Sequence, residues 1–283
     1  MSFKPIDDRQ VVNRSALSNI GTPANASLDV ILADINALLA GITNASGYVS
    51  KVISVPQGST SYTATFPSQS DTSFIVLAMF ENDIDSNPQF QQVIVTDKTT
   101  TSATFQWNVP LSTSNFKINF IVPFKISPID EVSVPGSSST VNPNLLISQN
   151  GSAYAIMGVI QNVVDVNPVF QTAIVTSQSA TNFVESLNVP TNSTNYTLEY
   201  LSSPTGQLSI GLGASSQVIS VPVPYGTVNY AVMAVMSDLT DPHPRFQPLV
   251  ITSKSSSQFT ISWPIPTESA NYVLTYYVLS VTP

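Results

Sequence analysis

The chain has 283 residues and a net charge of −8, with only 9% charged residues against 42% hydrophobic ones. Arginine occurs only at Arg9, Arg14 and Arg245, which excludes the clustered cations that nucleic acid or an anionic membrane surface demands. Cysteine is absent, so disulfide frameworks and thiol chemistry are excluded, and no apolar run reaches the ~20 residues of a transmembrane helix.

Residues 1–26 read as an extended polar arm, with Pro5, Gly21 and Pro23 as breakers. The opening Met-Ser-Phe-Lys-Pro has no apolar core of a secretory signal. Ser27 is a good N-cap, and Asp29 falls in the first turn, where the helix dipole favours an anion. Leu28, Ile31, Leu32, Ile35, Leu38, Leu39 and Ile42 then recur at helical spacing, and Gly41 and Gly47 mark the exit. Leu28, Ile35 and Ile42 share one heptad position, and Ile31 and Leu38 another. Isoleucine-rich seams favour trimers; the other reading is an amphipathic helix packed on the first β-domain. Residues 1–47 are therefore expected to attach and oligomerise the protein, using Arg9, Arg14 and these apolar side chains.

From Tyr48 on, the signal is β. Residues 74–120, 154–200 and 230–276 align without a gap. The shared frame contains Asp85/Asp165/Asp241, Phe90-Gln91/Phe170-Gln171/Phe246-Gln247 and Thr96/Thr176/Thr252. It continues with Pro110/Pro190/Pro266 and Asn115/Asn195/Asn271. A period near 80 residues suits a small domain. The domain bounds expected are 1–47, 48–124, 125–204 and 205–283.

In the first unit Lys51–Val55, Tyr62–Phe66, Phe74–Phe80, Gln92–Val95, Ala103–Trp107 and Phe116–Ile121 read as strands. Phe74–Phe80 is apolar enough to be buried on both faces. Val132–Pro135 and Val218–Pro222 restate Val52–Pro56, and 123–131 and 202–216 read as linkers. The expected fold is all-β: three tandem antiparallel β-sandwich domains after an arm and one short α-helix. Trp107, Leu187 and Trp263 belong to one core position, and Phe90, Phe170 and Phe246 are expected at one buried spot.

Chemistry is sparse. The one histidine, His243, sits between prolines where the other units have Asn87 and Asn167, so it reads as a loop residue. The loop from Glu81 to Asn87 offers Asp83 and Asp85 as calcium ligands, but only Asp85 has counterparts in the other units. The alternative is a turn in which Asp85 bonds backbone N–H groups two residues on. No catalytic, cofactor or metal residue is assigned, and no enzyme activity is expected.

Arm, short apolar helix and cysteine-free β-units rich in Ser, Thr and Asn resemble the fibre, spike and decoration proteins of tailed bacteriophages. The segment Gln91–Trp107 with Asn115–Phe120 resembles the H-type-lectin-like sandwich of several phage fibres; a second resemblance is to the start of a fibronectin type III domain. The first resemblance implies a virion protein, trimeric, bound to other virion proteins through residues 1–47 and able to touch a host-surface glycan. A capsid decoration or cement protein is the alternative, and a bacterial adhesin or carbohydrate-binding module the second.

Overall fold

The computed structural model describes residues 48–281 except 70, 73, 124–129, 146–155, 203–205 and 222–227. The expected arm and helix, with Arg9, Arg14, Leu28, Ile31, Leu32, Ile35, Leu38, Leu39 and Ile42, lie outside the described residues. The described chain is all-β, with no helix.

Each repeat supplies six strands. The first has β1 (Tyr48–Ser54), β2 (Ser61–Thr65), β3 (Leu77–Glu81), β4 (Ile94–Thr99), β5 (Ser102–Gln106) and β6 (Lys117–Pro123). The second has β7 (Asp130–Val134), β8 (Thr140–Val141), β9 (Ile156–Gln161), β10 (Ala173–Gln178), β11 (Phe183–Leu187) and β12 (Tyr196–Ser202). The third has β13 (Gly206–Ser209), β14 (Ser216–Ser220), β15 (Tyr230–Asp238), β16 (Val250–Lys254), β17 (Gln258–Ser262) and β18 (Tyr272–Ser280).

Period-two patterning drives the sandwiches. Along β5, Ala103 and Phe105 point inward while Ser102, Thr104 and Gln106 stay partly exposed. Trp107 and Trp263 are buried at equivalent strand ends, each indole N–H donating at 2.9 Å to a carbonyl, of Ser59 and of Ala214. Leu187 is buried between them in sequence. The shared threonine has a structural role. Register shifts lie between Val95 and Asp97, Val175 and Ser177, and Ile251 and Ser253. Thr96, Thr176 and Thr252 are thus the extra residues of three equivalent bulges.

The sheets do not stop at repeat boundaries. Within a repeat the strands form two antiparallel halves, β1-β6-β3 and β2-β5-β4 in the first. Halves of different repeats then join through parallel pairs. Phe80 and Glu81 of β3 pair with Val250 and Ile251 of β16. Gln161 of β9 pairs with Val95 of β4, and Ser237 of β15 with Val175 of β10. The result is three six-stranded sheets, each built from two repeats, joined in the cyclic order first, third, second, first. The parallel pairs are one or two residues long and cover the C-terminal ends of β3, β9 and β15, edges that an isolated repeat would expose. The joining of repeats also explains the unbroken apolar run of Phe74–Phe80. One face of β3 packs on its own sandwich core, and the other lines a cavity shared with β9 and β15.

Buried ion pairs mark two of the three joints. Lys254 of β16 reaches Glu81 of β3 at 2.9 Å, with both side chains almost fully buried. Asn119 of β6 donates to the same carboxylate at 2.8 Å, while its Oδ1 accepts the Val232 N–H at 3.1 Å. Lys98 of β4 reaches Glu199 of β12 at 2.6 Å, and Glu199 also accepts from the Val76 N–H and from Gln161. At the third joint the equivalent positions hold Gln178, Ser237 and Thr275, all uncharged.

Two expectations need correction. The first strand of the third repeat is β13, inside the segment read as a linker, whereas Val218 lies in β14, the second-strand position. The glycines there shape a turn. Gly213 has φ 77°, matching Gly58 at φ 78° after β1, and Ser137 takes φ 60° at the corresponding turn. Asp130 likewise opens β7 rather than ending a linker. Second, Phe90, Phe170 and Phe246 are only half-buried, and the neighbouring Gln91, Gln171 and Gln247 are the buried members of each pair.

Candidate functional site at the loop ends of the repeats

Each repeat carries two adjacent loops, one after its central strand (β3, β9 or β15) and one before its last strand. A carboxylate staples them. Asp85 accepts from Asn82 at 2.7 Å, from the Thr113 hydroxyl at 2.5 Å and from Asn115 at 2.7 Å. Asp165 accepts from Ser193, Asn162 and Asn195, and Asp241 from Ser269 and Asn271. Hydrogen bonds from the hydroxyl first, then from the amides, hold Asp85 and Asp165 below the usual carboxylate range. Hydrogen bonds from Ser269 and Asn271 do the same for Asp241.

The turn expected of Asp85 therefore belongs to Asn82, whose Oδ1 accepts the N–H groups of Ile84 and Asp85. Asp85 itself ties one loop to the next, which is why the aspartate and the asparagine 30 residues on recur together. Asp83 is engaged with Lys117 at 3.0 Å. Among the described residues, no group of three or more His, Asp or Glu side chains is placed to hold a metal ion. His243 is exposed in its loop.

The third repeat departs from the frame. Asp238 stands where Asn82 and Asn162 stand, accepting the Thr240 and Asp241 N–H groups through Oδ1. Burial, and then the neighbouring Asp241 carboxylate, push Asp238 up.

Between the staples the loops present apolar side chains to solvent. Val109, Val189 and Ile265 occupy equivalent positions and are 45%, 41% and 48% exposed. Ile84 and Val164 form a second equivalent pair, each 66% exposed. Such residues are too far out to serve the core, and they recur at equivalent loop positions. Sequence reasoning missed them because attention to the Asp loops followed charge, not exposure. The frame glutamines support the same loops: Gln91 accepts the Val109 N–H and Gln247 the Ile265 N–H, both at 2.8 Å.

Comparison with protein-family models, with curated proteins and with solved structures finds no match to this chain.

Proposed function

We propose that this chain is a non-enzymatic structural subunit of a bacteriophage particle, docked to other virion proteins through residues 1–47 and presenting its β-repeats for host-surface contact. The observation that carries the reading is the repeated loop surface, with Val109, Val189 and Ile265 exposed at equivalent positions of a cyclic array. Threefold repetition multiplies weak contacts into a firm grip, as suits adsorption to a repetitive glycan or protein surface. The resemblance in composition and repeat pattern to phage fibres supports the same reading, as does a surface dominated by uncharged polar residues.

A second reading, a capsid decoration or cement protein, draws on the cyclic order of the repeats, because such an array matches a threefold site on a shell. The test combines two variants on phage particles lacking the protein. A version beginning at Tyr48 is expected to fail to join the particle. A Val109→Ser, Val189→Ser, Ile265→Ser version is expected to join at full occupancy but to adsorb poorly to host cells. Full adsorption by the loop variant, with particles that lose heat stability, favours the cement reading. Full occupancy by the version beginning at Tyr48 overturns docking through residues 1–47. Mass measurement on both lengths tests the trimer, which is expected only with residues 1–47 present.

A further inference from the structure

Three glutamines from the repeat frame meet one cavity. Gln91, Gln171 and Gln247 all line a space of about 50 Å³ bordered by β3, β9 and β15. In each the Nε2 amide is buried and has no hydrogen-bond partner among the described residues. For two of them the amide orientation is settled by chemistry. Gln91 Oε1 and Gln247 Oε1 accept backbone N–H groups, and a flipped amide would set NH2 against N–H. The N–H donors are therefore what these side chains leave unmet, and unmet buried donors are costly. In Gln171 both amide atoms are unpartnered, so either can turn toward a bound group.

We propose that this cavity binds a halide-sized monovalent anion, chloride under ordinary conditions, through the amide N–H groups of Gln91, Gln171 and Gln247. The remaining lining is largely apolar, with Leu77, Met157 and Met233 at equivalent positions, and it contains neither carboxylate nor lysine. A cation would find no carboxylate there to balance its charge. An organic ligand would not fit, because such pockets span roughly 300 Å³ or more. A small acceptor without protons of its own answers unmet donors contributed by all three repeats. Gly158 of the lining has Glu185 behind it, and burial raises that carboxyl to about 8, so it carries a proton at neutral pH and does not repel an anion. The site is independent of the proposed role in a virion.

The test uses the full chain and bromide as probe. Crystals soaked in sodium bromide should show an anomalous peak within hydrogen-bond reach of at least two of the three Nε2 atoms. In solution, replacing chloride by gluconate at constant ionic strength should lower the melting temperature by a few degrees. Gln171→Leu should remove that difference. Gln171→Glu, folded by circular dichroism, should lose the bromide peak through charge repulsion. Water or empty density in the cavity with bromide present overturns the proposal. So does equal melting in the two salts with no bromide peak.

Discussion

Gly158 leaves room for Glu185: a Cβ on residue 158 would stand 2.1 Å from Glu185 Oε2. The equivalent positions of the other repeats hold an alanine and an apolar side chain, Ala78 and Phe105 in the first, Ala234 and Ile261 in the third. Gly158→Ala should therefore destabilise the protein by about 1–3 kcal/mol through overpacking. Adding Glu185→Ile copies the third repeat and should recover the loss. Chemical denaturation of both single variants and the double variant measures the coupling; simple additivity would mean the two positions do not clash.

Glu185 also makes stability pH-dependent. Burial raises its carboxyl from 4.5 to about 8. Below pH 4.5 both the folded and unfolded chains hold the proton, and the group adds no pH dependence. As pH rises from 4.5 to 8 only the unfolded chain releases it, so stability falls by about 1.4 kcal/mol per unit. Above pH 8 the loss is complete. Glu185→Leu should flatten this part of the pH profile and raise the melting temperature most at pH 8 and above. An unchanged profile would place the titration elsewhere.

The joint between the first and second repeats rests on Lys98 and Glu199, 2.6 Å apart. Lys98→Met strands a carboxylate that is 1% exposed, which should cost about 3–5 kcal/mol. Burial already raises Glu199 to about 7, against the pull of Lys98, so part of that cost will be met by protonation below neutral pH. The double change Lys98→Gln with Glu199→Thr copies the neutral joint of Gln178 and Thr275 and should restore most of the stability. Urea denaturation at pH 8 compares the three proteins.

Asp238→Asn restores the amide found at Asn82 and Asn162, which donates to the aspartate three residues on. The folded protein raises the Asp238 carboxyl, so its ionisation costs stability above the ordinary carboxylate range. The variant should gain about 1 kcal/mol at pH 7 and nothing below pH 3, where the acid is protonated in both states. Thermal melts at the two pH values show whether the gain appears only at the higher one.

Residues 49–283 should unfold as one unit, because every sheet draws strands from two repeats. Trp107→Ala, at a buried site, should cost about 3–5 kcal/mol and move a single calorimetric transition. Three separate transitions, with only one displaced, would show that the repeats fold as independent beads.

Much of the fold was legible because local patterns carry it. Alternation identified the strands around Tyr62–Phe66 and Ala103–Trp107, and the double-sided apolar run of Phe74–Phe80 was visible in one dimension. The frame residues were visible too, but not their duties. Thr96 makes a bulge, Asn82 rather than Asp85 caps the turn, and Gln91 rather than Phe90 is the buried partner. Those duties depend on which backbone N–H lies opposite, which spacing alone does not state. The first strand of the third repeat was misplaced for a similar reason: Val218–Pro222 has the right letters, while β13 has few apolar ones and is recognised by its partner, β18.

By itself the amino-acid order determined the period and the strand content, since these follow from side-chain chemistry read along the chain. The tertiary structure alone decided that the repeats share sheets. Parallel pairing of β3 with β16 joins residues about 170 positions apart, and its selection rests on edge closure and on buried ion pairs at two joints facing a neutral third. Those are energies of assembled surfaces, and no segment expresses them until its partner is in place.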